Sequence, residues 1–234
     1  MKRVVSKMAL ILGAIVMLGM AGTSARADIV LIGPGSPVGG VGHAPESVLS
    51  IQSPKNTDKA FGMVSYDGSK DVVTGEIAKK GEHTKTITFA DAGINSAGEL
   101  RIFMDVEDPD NDLILHELTL TAYGSNGEIL FQGSYLSGPT YFAENGGGQG
   151  HGDYTFGLTA DQAAQLQAAY LAHPDLRLGL FARTSDDTGS FTNFKIGNGP
   201  AAPIPEPATM FLLGSGLVGV AAKIRKRRNA AREE

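Results

Sequence analysis

The amino-acid sequence predicts an all-β domain, a Greek-key or jelly-roll-like β-sandwich with one inserted helix. Apolar and polar residues alternate in several short segments, which is the pattern of strands that have one buried face. Turns containing Gly, Asp and Asn separate these segments, and only one stretch has helical periodicity. The 234-residue chain, with 42% hydrophobic residues, is large enough for one such core plus appendages. We expect a signal peptide before this domain and a single membrane helix after it.

Alternation is clearest in three segments, each of which places its apolar residues on one face. These residues are Leu100, Ile102, Met104 and Val106 in the first segment, Leu118, Leu120 and Ala122 in the second, and Leu176, Leu178, Leu180 and Ala182 in the third. Residues 84–89, 129–135 and 191–196 are expected to form further strands. Ser125-Asn126-Gly127 predicts a hairpin turn, because Asn and Gly tolerate positive φ.

A single helix is predicted to interrupt the strands. Thr159 is its expected N-cap, and Gln162 occupies the third position of a capping box. Pro174 cannot continue a helix and marks its end. Its apolar face, formed by Leu166, Ala169, Tyr170 and His173, should cover one end of the sandwich.

The first 27 residues have the three parts of a secretory signal peptide. Lys2, Arg3 and Lys7 precede an apolar run at 8–20, and Ala25-Arg26-Ala27 has the small-residue form that a signal peptidase accepts. We therefore expect signal peptidase to cleave after Ala27, which makes Asp28 the mature N-terminus. The alternative is an uncleaved anchor, although the apolar run is shorter than the ~20 residues of a membrane span.

The C-terminal part of the sequence combines a short motif, an apolar segment and a basic cluster. A linker at 197–204 follows the predicted domain at 28–196 and leads to Pro205-Glu206-Pro207. The apolar segment 208–222 would reach roughly 22 Å as a helix, which is short of the ~30 Å hydrocarbon core. Basic residues next to a span stay cytoplasmic, which places the domain outside the inner membrane and 229–234 inside. The basic cluster consists of Lys223, Arg225, Lys226, Arg227 and Arg228.

These residues, at 205–228, resemble the PEP-CTERM sorting signal. The resemblance is carried by Pro-Glu-Pro-Ala-Thr-Met, the following Phe-Leu-Leu-Gly-Ser-Gly-Leu and the Arg-rich end. It implies recognition by an exosortase, a membrane transpeptidase-like enzyme of Gram-negative bacteria that make extracellular polysaccharide, and removal of the tail near Pro-Glu-Pro. The protein would then be anchored transiently in the inner membrane before it reaches the cell surface or the medium. An ordinary C-terminal anchor that contains Pro-Glu-Pro by chance is the alternative.

Composition excludes several classes of function. Residues 28–204 contain 10 basic and 22 acidic side chains, so this segment has no excess of positive charge to bind nucleic acid. The chain contains no Cys, which excludes disulfides, thiolate zinc sites and cysteine nucleophiles.

An acidic segment between two predicted strands is a candidate calcium site. Its oxygen-rich side chains are of the type that a hard cation prefers, although their spacing does not match an EF-hand. A solvated acidic turn is the alternative. The candidate ligands are Asp105, Glu107, Asp108, Asp110 and Asp112.

No catalytic motif is present in the predicted domain, so we expect a non-enzymatic surface or matrix protein of the exopolysaccharide or biofilm layer. A carbohydrate-binding module, with or without Ca²⁺, is the first alternative, weakened by the absence of Trp. A secreted glycan hydrolase is the second alternative. Its carboxylate pair would come from Glu99, Glu117, Glu128 and Glu144.

Overall fold

The computed structural model describes residues 29–34, 45–54, 59–78, 81–107, 113–135, 138–142, 154–185 and 191–199. These residues form twelve strands, one 3-10 turn (Ala97–Glu99) and one α-helix, α1 (Ala160–Ala172). The strands are β1 (Val30–Pro34), β2 (Glu46–Gln52), β3 (Lys59–Tyr66), β4 (Asp71–Gly75), β5 (Ile87–Thr88), β6 (Leu100–Glu107), β7 (Leu113–Tyr123), β8 (Ile129–Tyr135), β9 (Thr140–Phe142), β10 (Tyr154–Gly157), β11 (Arg177–Ser185) and β12 (Phe191–Asn198).

The strands form two antiparallel sheets. Sheet 1 has the order β1-β10-β6-β12-β2, and sheet 2 has the order β4-β3-β11-β7-β8. Two short strands lie outside these paths: β5 pairs with β11, and β9 pairs with β7. Two antiparallel sheets with one helix confirm the predicted all-β sandwich.

Eight of the strands pair in a nested order. In the chain order β2, β3, β6, β7, β8, β10, β11, β12, the first strand pairs with the last and the second with the seventh. The third pairs with the sixth and the fourth with the fifth. This is the pairing of a long hairpin folded over on itself, as in a jelly roll.

One hydrophobic core lies between the sheets. The three predicted alternating faces all belong to it, with the apolar positions of β6, β7 and β11 buried. The two sheets approach closely at Gly62 of β3, where a Cβ atom would lie 2.3 Å from Ile51 Cγ2 of β2. The packing at this point therefore has space for the hydrogen atom of glycine but not for a Cβ atom.

The observed bounds of β8 and β12 agree closely with the prediction, whereas those of β5 do not. Strand β8 has the predicted bounds, and β12 continues two residues beyond 196, to Asn198. The strand predicted at 84–89 is wrong over most of its length, because only Ile87 and Thr88 pair as a strand. Before this pair, Thr86 N donates to Asp71 Oδ2 at 3.1 Å. After it the chain turns, because Asp91 Oδ2 accepts from Thr88 N at 2.9 Å and Ala92 N donates to Thr88 O.

The helix begins as predicted. The Thr159 side chain accepts from Gln162 N, and the Gln162 side chain accepts from Thr159 N, which completes the capping box. The helix packs against β8 and the 3-10 turn. Leu166 is fully buried, and the Tyr170 ring stacks on Phe89 with centroids 4.3 Å apart.

No helix in the described part of the chain is both long and apolar enough to cross a membrane. The predicted signal peptide at 1–27 and the predicted membrane helix at 208–222 lie outside the described residues.

Candidate functional site

The outer face of sheet 2 contains a groove. Along β7, Thr119, Thr121 and Tyr123 alternate with residues that face the core, so their side chains lie on the side away from sheet 1. The groove has a volume of about 370 Å³ and crosses four neighbouring strands, with lining residues from β3, β11, β7 and β8. It is therefore a feature of the assembled sheet and not of one loop.

Polar side chains of β7 and β8 meet along the groove. The register places Thr119 opposite Ser134 and Thr121 opposite Gln132. Thr119 Oγ1 and Ser134 Oγ share a hydrogen bond of 2.8 Å, and Gln132 Nε2 donates to Thr121 Oγ1 at 3.4 Å. A hydroxyl can donate once and accept twice, and an amide has two N–H groups and a carbonyl oxygen. The groove thus orients these groups while leaving further hydrogen-bonding capacity.

Apolar and aromatic surfaces accompany these polar groups. Tyr123 is 8% exposed, and its burial raises the pKa of the phenol, which therefore stays neutral at physiological pH. Its ring lies beside Gly179 of β11, where a Cβ atom would come within 3.1 Å of the ring. Ile129, at 61% exposure, and the partly buried Phe181 add apolar surface nearer to solvent.

The charge beside the groove is paired. Among the described residues that line it, Glu117 alone is charged, and Arg183 Nη2 lies 3.6 Å from Glu117 Oε2. Both side chains are partly exposed, so this pair contributes little stability. Its effect is to offset the carboxylate charge next to the groove.

Two hairpin turns meet at the end of sheet 2 where Tyr123 and Ile129 lie. One is the predicted turn at 125–127, in which Gly127 has a φ of +83°. The other connects β3 to β4 and contains Gly68, with a φ of +94°. A Cβ atom on either glycine would lie 2.6 Å from backbone of the opposite turn. The two glycines therefore allow the turns to touch and fix this end of the sheet.

The structure describes only part of the candidate calcium site. Asp105 lies on β6, is 2% exposed, and its Oδ2 is 3.3 Å from Lys195 Nζ of β12. Glu107 ends the same strand, whereas Asp108, Asp110 and Asp112 lie outside the described residues. Within the described ranges, no group of three or more His, Asp or Glu side chains could hold a metal ion. The calcium site stays a prediction.

His116 and Ser185 form a hydrogen-bonded His–Ser pair, which are the residue types of a nucleophile and its general base. His116 is the extra residue of a bulge in β7, and its Nε2 lies 2.7 Å from Ser185 Oγ of β11. A catalytic triad also needs a carboxylate at the other ring nitrogen, and none of the ion pairs among the described residues involves His116.

The carboxylates considered for a hydrolase have local partners. Glu99 accepts from Asn95 N, Glu128 accepts from Asn126 N, and Glu117 pairs with Arg183. Glu144 lies outside the described residues. Glu99 and Glu128 thus bind backbone N–H groups at turns, whereas Glu117 lies in the middle of β7 and pairs across to β11.

The remaining predicted site residues belong to the two terminal segments. The signal-cleavage residues Ala25, Ala27 and Asp28, the motif 205–207 and the basic cluster that ends at Arg228 all lie outside the described residues. Their evidence is the sequence itself and the comparison with known families.

Comparison with known proteins bears on the C-terminal segment. Residues 203–228 match the family model of the PEP-CTERM protein-sorting motif. No curated protein and no solved structure matches the chain significantly. The match confirms the resemblance seen in the sequence and implies processing by an exosortase. The chain thus carries a PEP-CTERM sorting motif, which indicates an exported protein that is sorted to the cell surface by way of the membrane.

Proposed function

We propose that this chain is a non-enzymatic surface or matrix protein with a structural or adhesive role in the exopolysaccharide or biofilm layer. The observation that carries the proposal is the sorting motif at 203–228, because exosortase substrates are delivered to the outside of the cell. The signal-peptide sequence at 1–27 supports the same route. Signal peptidase and exosortase are the partners during export.

The proposed role needs no catalysis. Among the described residues, Glu99 and Glu128 accept backbone hydrogen bonds at turns, and Glu117 pairs with Arg183. The domain also builds its core without any cysteine, so it does not depend on an oxidising environment.

Carbohydrate binding is the second candidate function, and the groove on sheet 2 favours it. Hydroxyl, amide and aromatic side chains share that groove, which is a combination suited to sugars. A dependence on Ca²⁺ would involve the acidic segment that begins at Asp105. Binding to polysaccharide is also compatible with an adhesive role.

The sorting step is tested by replacing Pro205-Glu206-Pro207 with three alanines in a host that has an exosortase. The apolar segment 208–222 stays intact, so membrane insertion should be unchanged while recognition is lost. We expect the full-length form to accumulate in the inner membrane, measured by fractionation and mass spectrometry. Pro200→Ala, which lies outside the matched residues, is the control and should be processed normally.

Arrival of the triple-alanine variant at the surface with normal size would show that the tail is a plain anchor and that the sorting hypothesis is wrong.

The role in the matrix is tested separately, by deleting the gene and measuring the polysaccharide and biofilm retained on cells. We expect less retained polysaccharide, restored by the natural chain and not by the triple-alanine variant.

A further inference from the structure

We propose that the groove on the outer face of sheet 2 binds a segment of a neutral polysaccharide. The inference rests on the proposed adhesive role and names both the site and the chemical class of its ligand. Three properties of the groove lead to it: the spacing of its polar groups, the aromatic and apolar surface beside them, and its charge.

The polar groups form a small two-dimensional array. Thr119 and Thr121 are two residues apart on one strand, a separation of about 7 Å, and Ser134 and Gln132 lie opposite them on a strand about 5 Å away. Their mutual hydrogen bonds hold the side chains in place before any ligand arrives, which lowers the entropy lost on binding. A ligand that presents many hydroxyl groups at similar spacing could use the remaining donors and acceptors.

The apolar surface lies next to this array. Tyr123 forms part of the floor, while Met63, Phe181 and Ile129 come from three other strands. Sugar rings have one face of C–H groups and an edge of hydroxyls, so they match a surface that alternates apolar and hydrogen-bonding groups. A purely apolar ligand would displace water from the remaining donors and acceptors of these groups without replacing its hydrogen bonds, at a cost in free energy.

Charge selects a neutral ligand. The described part of the lining contains no Lys or Arg, and its one carboxylate, Glu117, is offset by Arg183. The segment 28–204 carries 22 acidic and 10 basic residues, so an anionic polymer would also meet an unfavourable overall field. A cationic polymer would find no unpaired carboxylate among the described residues of the groove.

Size and position fit a chain segment. The volume of about 370 Å³ lies within the roughly 300–1,000 Å³ of small-ligand sites. The groove lies on a sheet face and crosses four strands, so a polymer could lie across it and continue beyond both ends.

The test is native affinity electrophoresis of the full-length chain in a mild detergent, in gels that contain one polysaccharide each. The neutral probes are laminarin, dextran, galactomannan and xyloglucan, and alginate is the anionic control. We expect at least one neutral probe to retard the protein and alginate not to. Thr121→Val and Gln132→Ala should each weaken the retarding interaction about five- to tenfold, the loss expected for one hydrogen bond.

Thr155→Val is the matched control, because Thr155 lies on β10 in sheet 1 and outside the groove. Melting curves check that each variant is folded. Gln132 is exposed, so its replacement by Ala keeps the test valid even if Thr121→Val unfolds. The proposal is overturned if no neutral probe retards the protein, if alginate binds equally well, or if groove and control variants behave alike. Because the purified chain is used, these outcomes are independent of whether sorting occurs.

Discussion

At the scale of single residues, the groove illustrates what sequence alone could not show. Thr119, Thr121 and Gln132 are ordinary outward-facing polar residues of strands, and polar residues occupy such positions in any sheet with a solvated face. Their importance comes from register, since only the pairing of β7 with β8 places them together. By contrast, the core-facing apolar residues of β6, β7 and β11 were predictable from alternation alone.

At Gly62 we expect the addition of a single methyl group to lower the stability of the domain. Adding a methyl group would bring it within 2.3 Å of Ile51 Cγ2 and 2.8 Å of Ile77 Cδ1, across the interface between the sheets. Gly62→Ala should therefore lower the free energy of unfolding by about 1–3 kcal/mol through overpacking, measured by urea denaturation.

Gly98→Ala is the control for that measurement. A Cβ atom on Gly98 would have no neighbouring atom within 4 Å, and the φ of Gly98 is not positive, so its replacement should change stability by less than about 0.5 kcal/mol. Equal effects of the two substitutions would show that the sheets can separate locally to accept a methyl group at Gly62.

At the scale of elements, sequence signals succeeded where they were local. The helix was predictable because its capping box and its terminal Pro174 are contained within sixteen residues. The short strands β1, β4, β9 and β10 were missed, since three to five residues are too few to establish alternation. Strands β2 and β3, of 7 and 8 residues, were missed as well. Residues 84–89 alternate like a strand, but the carboxylates of Asp71 and Asp91 accept hydrogen bonds from Thr86 N and Thr88 N.

Thr159 should contribute measurable stability to the helix. Its side chain accepts from Gln162 N at the helix N-terminus, where backbone N–H groups have no partner within the helix. Thr159→Ala should cost about 1 kcal/mol of unfolding free energy, measured by thermal or urea denaturation.

Ser96 provides the matched control for the helix cap. It occupies the N-cap position of the 3-10 turn, but its side chain makes no capping hydrogen bond. Ser96→Ala should therefore be close to neutral, within about 0.5 kcal/mol. If Thr159→Ala were equally neutral, the capping box would contribute nothing to the stability of the domain.

At the scale of the whole molecule, alternation predicted two sheets but could not choose their strand order. The pairings that define the nested order join residues far apart in sequence, such as Phe191 with Gln52. No local pattern encodes them, because they follow from burying all apolar faces in one core.

The nested order predicts opposite outcomes for two truncations. A chain that ends at Ser190 lacks β12, the strand between β6 and β2 in sheet 1, and should lose cooperative unfolding. A chain that ends at Gly199 keeps every described strand and should retain it. Circular dichroism during thermal denaturation and limited proteolysis would measure this. A folded domain without β12 would contradict the central role of that strand.

The central position of β12 also constrains the order of events during export. The predicted signal peptide at 1–27 would send the chain across the membrane N-terminus first, so sheet 1 would close only after residue 198 had emerged. Gly199 N then donates to Glu99 O, which fastens the end of the strand to the domain. The six peptide units from Gly199 to Pro205 span at most about 20 Å when fully extended. The last strand and the sorting motif would thus reach the outer side almost together. An exosortase that processes the motif would then act within about 20 Å of a domain that is only then completing its fold.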